Sequence, residues 1–220
     1  MKILEIYQKY QIMPQLAEHQ LRVAAVAGLM LDHLSLVLDK NEILAACLLH
    51  DMGNIVKFDL RVTEKLFPGD FQDQSLMHWQ QVQREFVSRY GNGSHNVTAK
   101  IIKELGVSGR IFALVDCVGF EQGRDNAQSP DFGKKICAYS DMRVMPRGVC
   151  SLEERMVDLR VRYKNHPEGA GNREQFEQAL REIERQIFEH SDIRPEDISE
   201  QAIGERKEKL KLFQISTRVI

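Results

Sequence analysis

Residues 39 to 56 read "DKNEILAACLLHDMGNIV", and the reading of this stretch decides the fold. Asp39 can accept a free backbone N–H at a helix start, and Glu42, three residues on, completes a capping-box pattern. The helix runs as "ILAACLLHDM" and Gly53 closes it. Ile43 to Leu49 are all apolar, as expected of a helix covered on every side. His50 and Asp51 then stand side by side at its end. Burying a carboxylate is costly unless something compensates it, so this pair needs partners from elsewhere in the chain.

Upstream, Pro14 stands where a first helical turn would begin, and from Leu16 to Leu38 the apolar residues fall on more than one face, as in a helix in the middle of a bundle. His19 lies on its most apolar side, in phase with Leu16, Val23, Val26 and Met30. Downstream, residues 54 to 73 mix Gly, Pro and Asp with short apolar pieces, which predicts an irregular, lid-like segment before a helix of about 74 to 90. "GNGS" makes a turn, Ser94 can cap "HNVTAKIIKELG" with His95 in its first turn, and Gly106 ends that helix. A further apolar helix is expected at 108 to 119.

"EQGRDNAQSPD" reads as a polar loop. Ser129 as N-cap and Pro130 at the first helical position open a helix that carries Tyr139, Ser140 and Asp141 before Pro146 stops it. A second capping box, Ser151 to Glu154, starts the helix bearing Leu152, Met156, Leu159 and Tyr163. From about Asn172 charged helix formers dominate, yet Phe176, Leu180, Ile183 and Ile187 keep helical spacing, and Ile198, Ala202 and Leu210 do so more loosely. These read as two peripheral helices, packed on the core or on a second copy in a homodimer. With no repeat, no low-complexity tract and no sustained period-two alternation, the fold class is all-α.

The 220 residues suffice for one substantial core, and 30 Lys+Arg against 32 Asp+Glu leave a formal charge of −2. There is no global pull toward nucleic acid or anionic lipid, and no clear nucleic-acid surface. Cys47, Cys117, Cys137 and Cys150 are widely spaced with no C-x-x-C pair, so they read as reduced core residues of a cytoplasmic protein. The first 15 residues lack the pattern of a signal peptide, and no apolar run approaches the ~18 residues that span a bilayer. A soluble, intracellular protein without a membrane partner is the expectation.

A divalent cation would answer the need at His50 and Asp51. Neutral imidazole and carboxylate are both good ligands, and the ion's charge offsets the desolvation of the acid. An adjacent pair fills only two positions, and two further candidates stand out: His19 on its apolar helix face and Asp141 in "AYSDMRV". Each has a plainer reading. His19 by itself fits a satisfied core histidine. His50 and Asp51 could be a hydrogen-bonded structural pair, with Asp51 capping the turn after Gly53. Asp141 could pair with Arg143 or Arg22.

Taken together, "AEHQLRVAAVAG" (17 to 28), "LLHDMGN" (48 to 54), "SHNVTAKIIKELG" (94 to 106) and "ICAYSDMRV" (136 to 144) resemble the HD-domain superfamily of metal-dependent phosphohydrolases. The resemblance covers roughly residues 14 to 165, and implies an HD domain over 1–165 with a C-terminal helical extension over 166–220. It makes His19, His50, Asp51 and Asp141 the metal ligands, and places His95 where many members have a His that binds a second metal or faces the substrate. Members with a two-metal centre often carry further histidines where this chain has Val118, Gly119 and Phe120, so one divalent transition metal is expected: Mn, Fe, Co, Ni or Zn. Many members read HDIGK; here Asn54 stands in place of the Lys, with Lys57 and Arg61 as possible substitutes.

The function so implied is hydrolysis of a small phosphorylated substrate such as a nucleotide by metal-activated water. Asp51 is the catalytic candidate, both ligand and acceptor of the water's proton. His95, Lys57, Arg61 and also Arg143 are candidates to bind the phosphate. The alternative is a non-enzymatic HD module whose metal is structural or regulatory and whose last two helices bind a partner or ligand.

Overall fold

The computed structural model describes residues 1–66, 68–71, 74–162 and 169–218. Among them the chain is all-α, with twelve α-helices and one two-stranded hairpin. Helix α1 (Ile3–Lys9) precedes the two helices that matter most, α2 (Pro14–Asp32) and α3 (Lys40–Leu49). Asp39 caps α3 as its sequence predicts, accepting the Glu42 N–H at 3.1 Å. Such a cap contributes about 1 kcal/mol. Glu42 does not return the bond; its carboxylate accepts from the Ser108 hydroxyl at 2.8 Å, tying α3 to the start of α7 (Gly109–Asp116).

Helix α2 ends at Asp32, not at Leu38. The residues beyond it pair with a distant segment: Ser35 N–H donates to His190 O at 2.8 Å, and Asp192 N–H donates to His33 O at 3.1 Å. Tertiary pairing overrides the apolar periodicity there. The expected irregular segment is also a correction, since it holds a 3-10 turn at Asn54–Lys57, helix α4 (Leu60–Leu66) and a second 3-10 turn at Pro68–Phe71. Asp59 supplies the start signal, its Oδ1 accepting from the N–H groups of Arg61 and Val62 at 3.1 and 3.2 Å.

Helix α5 (Leu76–Tyr90) is capped by Ser75. In α6 (Ser94–Leu105) the cap is Gly93, and Ser94 is already helical. Close packing fixes this end, because α6 lies against Gly53: a Cβ there would come within 2.6 Å of Thr98 N and 2.7 Å of Ser94 O. The supposed polar loop after α7 contains α8 (Gly123–Gln128). It is held inward by buried Asn126, whose Nδ2 donates to Cys117 O at 2.8 Å, and by the Phe176 ring packed on Gly123.

Helix α9 (Phe132–Met142) is capped by Asp131, which accepts from Gly133 N–H at 3.0 Å and pairs with Arg110. Ser129 instead accepts from the Asp131 N–H. After α9 a short antiparallel hairpin, β1 (Val144–Met145) and β2 (Gly148–Val149), turns at Pro146 and Arg147. The Ser151–Glu154 capping box forms and starts α10 (Leu152–Arg162). Tyr163 and the expected domain boundary at 165/166 lie outside the described residues.

Helices α2, α3 and α9 pack on one another at the centre. The small residues Ala24, Ala25 and Ala27 of α2 and Ala45 and Ala46 of α3 are buried. Helix α11 (Gly169–Phe188) lays Leu180, Ile183 and Ile187 against α8 and α9, and α12 (Glu200–Leu210) lies along α2. Arg22–Glu200 at 2.9 Å and Lys207–Glu18 at 3.1 Å join α12 to α2. The chain ends meet where Ile3 N–H donates to Phe213 O at 2.9 Å. All four cysteines are free and buried. No described helix is long and apolar enough to cross a membrane.

Candidate metal centre

The site is built on the turn that ends α3. A helix C-terminus leaves carbonyls without intrahelical partners, and here the turn is held both by its own residues and by three side chains from other helices, Tyr7, Gln20 and Thr98. His50 Nδ1–H donates to Cys47 O at 2.8 Å. The Tyr7 hydroxyl of α1 donates to Leu48 O at 2.7 Å. The Asp51 N–H donates to Gln20 Oε1 at 3.2 Å, and the Gly53 N–H to Thr98 Oγ1 at 2.9 Å. Asn54 N–H goes to the backbone O of Asp51 at 3.1 Å, so the bond that a capping Asp51 carboxylate would have made is made by main chain.

With the turn fixed in this way, three helices deliver their side chains to one point. His19 Nε2 of α2 lies 3.0 Å from Asp141 Oδ1 of α9 and 3.6 Å from Asp51 Oδ2. His50 Nε2 lies 3.4 Å from Asp141 Oδ1 and 3.7 Å from Asp51 Oδ2. One donor atom each from His19, His50 and Asp141 fall within 4.8 Å of one another, a group that could hold a metal ion. Asp51 sits beside that group, with one oxygen near both imidazoles.

His50 carries the most informative atom. Its side chain is 1% exposed, and Nε2 makes no well-directed hydrogen bond, its nearest acceptor, Asp141 Oδ1, standing 3.4 Å away. The Cys47 bond leaves Nε2 facing the carboxylates, which is how a second partner orients a ligating imidazole. A buried nitrogen left unmet costs about 1–3 kcal/mol, and a cation would meet it. The electrostatics agree. Burial alone would push His50 down, but the Asp51 and Asp141 carboxylates and the Cys47 carbonyl outweigh it and raise the imidazole to about 9. Burial would likewise raise the Asp141 carboxyl, yet the His19 hydrogen bond and the two imidazoles hold it well below the usual carboxylate range. Two carboxylates that draw a proton onto a buried imidazole would draw a divalent cation more strongly.

The plainer pairings of Asp141 do not occur. Arg22 bonds Glu200. Arg143, 3% exposed, spends its guanidinium on Cys150 O, the Tyr139 hydroxyl, Pro195 O and Ile198 O. It ties α9 to the hairpin and the segment before α12, so as a phosphate ligand Arg143 is a misreading. His95, in the first turn of α6, pairs its Nε2 with Asp116 Oδ1 of α7 at 3.0 Å, both side chains about half exposed. It does not join the group that could hold a metal. Lys57 and Arg61 are exposed, on the 3-10 turn and on α4. Sequence reading singled out neither Gln20, Tyr7 nor Thr98, because single polar residues on apolar helices carry no spacing signal.

An all-helical bundle with a His–His–Asp group of this kind defines a class of protein with a candidate metal centre. Residues 16–115 match the family model of the HD domain, and this part of the chain belongs to that family. His19, His50 and Asp51 fall inside the matched residues; Asp141 lies beyond them and is brought to the same point by α9. No curated protein and no solved structure matches the chain.

Proposed function

We propose that the protein is a metal-dependent phosphohydrolase acting on a small phosphoester, with nucleotides the first class to test. The observation that carries the reading is the convergence of His19, His50 and Asp141, with a buried His50 Nε2 at its centre that makes no well-directed hydrogen bond. His19, His50, Asp141 and Asp51 would hold one divalent transition metal, and their mixed nitrogen and oxygen set suits Mn, Fe, Co, Ni or Zn. Such an ion supplies Lewis acidity to water and to a phosphoryl oxygen.

The chain's own residues do the rest. Asp51 has one oxygen turned to both imidazoles, and its other oxygen orients the attacking water and accepts a proton from it. Water adds to phosphorus, the ester P–O bond breaks, and the proton passes to the leaving oxygen. The side chains of His19, Asp51 and Asp141 are 13%, 21% and 23% exposed, so the group opens to solvent on the side away from His50. Lys57 and Arg61, on the segment after the turn, supply positive charge to phosphate oxygens. His95 contributes Nδ1, since Asp116 occupies its Nε2.

One observation favours a second reading, in which the metal is structural or regulatory. Asn54, at the place of the lysine in the HDIGK pattern, is buried at 6% exposure and offers no charge to a substrate. Metal-loaded protein assayed against a panel of nucleotides and sugar phosphates separates the two. The phosphohydrolase reading expects turnover that Asp51→Ala and His50→Ala abolish. Turnover that survives in metal-stripped Asp51→Ala would contradict it, and metal-dependent melting without any turnover would support the second reading.

A further inference from the structure

Gln20 follows His19 on α2 and is fully buried. Its Oε1 accepts the Asp51 backbone N–H across a separation of 31 residues. The amide can face only one way, because its nitrogen in that place would set two donors against each other. Nε2 therefore lies on the far side of the amide, buried and without a hydrogen-bond partner. Gln20 thus satisfies one buried donor and strands another. The two effects are of the same kind and opposite sign, so the residue brings little net stability. What it does bring is a fixed link between the residue after His19 and the main chain of Asp51.

Some of the unmet groups stand at or beside the proposed ligands, while those on Gln15, Trp79, Arg155 and Arg206 do not neighbour a ligand in sequence. Seven buried side-chain polar atoms lack a partner among the described residues; one is His50 Nε2, and two more belong to Gln20 and Ser140, the sequence neighbours of His19 and Asp141. Local conflicts of this kind collect where geometry is held for function. We propose that Gln20 is a positioning residue of the metal centre: it sets Asp51 against His19 and so tunes the affinity and ligand field of the bound ion. This rests on the reading of the group as a metal site.

The test uses the full chain and the variant Gln20→Met, which keeps side-chain length and removes the amide. Zn²⁺ binding is measured by competition with a chromophoric chelator, Co²⁺ coordination by visible absorption, and apo-protein folding by circular dichroism melting. Zn²⁺ affinity is expected to fall roughly 10–100-fold and the Co²⁺ bands to move, while apo melting is unchanged or higher. A merely structural Gln20 would lower melting and leave the Co²⁺ bands alone. A folded Gln20→Met protein that binds Zn²⁺ within about twofold of wild type, with the same Co²⁺ spectrum, overturns the proposal. If Gln20→Met does not fold, hydrogen exchange at the Asp51 amide of the wild type decides: slowing on Zn²⁺ addition supports the link, and an unchanged rate overturns it. Wild-type protein that binds neither ion overturns the metal reading itself, which separates that failure from failure of Gln20's role.

Discussion

His19 and His95 each hold an aspartate oxygen 3.0 Å from Nε2, and each stands early in a helix. There the likeness ends. His95 and Asp116 are 51% and 52% exposed, and water shares the work of solvating them. His19 and Asp141 are largely covered and have His50, 1% exposed, and Asp51 pressed beside them. A distance alone therefore does not define a site. The exposed pair is complete as it stands, worth about 0–1 kcal/mol. The covered group holds two carboxylates and two imidazoles with one buried nitrogen unmet, an arrangement that a cation completes.

The widest separation between the two pairs should appear in metal affinity. Asp141→Ala is expected to weaken Zn²⁺ binding by at least roughly 100-fold, and Asp116→Ala by less than about twofold, both read by chelator competition. Comparable losses in the two variants would erase the distinction. The next largest effect concerns the glycines that support each pair. Gly53 closes the turn under Asp51 with α6 too near for a Cβ, whereas Gly109, which opens the helix carrying Asp116, has nothing within 4 Å. Gly53→Ala should cost about 1–3 kcal/mol in urea unfolding through overpacking against main chain. Gly109→Ala should be neutral, or stabilising by up to about 1 kcal/mol.

Glu104 lies between the extremes of burial and sharpens the comparison through pH. It accepts from the Tyr10 and Tyr90 hydroxyls at 3.1 and 2.9 Å and pairs with Arg89. Burial would raise its carboxyl, but the two hydroxyls and Arg89 hold it below the ordinary value. Its contribution to stability is therefore present above the ordinary glutamate pKa and is lost as pH falls through the lowered one. Burial and Glu104 push Tyr90 up to about 12. That contribution is whole below the ordinary tyrosine pKa of about 10 and lost as pH rises through 12. Urea midpoints across pH should flatten at the acid end in Glu104→Gln and only in part at the alkaline end, where burial still raises Tyr90. The smallest effect belongs to the exposed pair again: His95→Ala should shift stability by no more than about 1 kcal/mol.

Much of this was legible in the sequence because it rests on short-range signals. The apolar run from Ile43 to Leu49, the Asp39 cap, the Ser151–Glu154 box and Gly106 are local features, and each appears where its residues place it. His50, Asp51, His19 and Asp141 stood out as ionisable residues in apolar stretches that need partners, and the resemblance to the HD-domain superfamily joined them into one ligand set. What was not legible depends on distant contacts. The early end of α2 follows from pairing with residues 190–192, the helix at 123–128 from the Phe176 ring and Asn126, and the misreading of Arg143 from carbonyls far along the chain. The bonds of Gln20, Tyr7 and Thr98 to the turn are of the same kind, since nothing in their own neighbourhoods announces a partner 31, 41 or 45 residues away.

The central claim is that His19, His50 and Asp141, with Asp51 beside them, hold a divalent cation. Elemental analysis by mass spectrometry, on wild type and on the folded His50→Ala/Asp141→Ala variant after dialysis against equal Zn²⁺, tests it most directly. About one ion per chain in the wild type and almost none in the variant is the expected result. Folded wild-type protein that retains no metal, or a variant that retains as much, would contradict it.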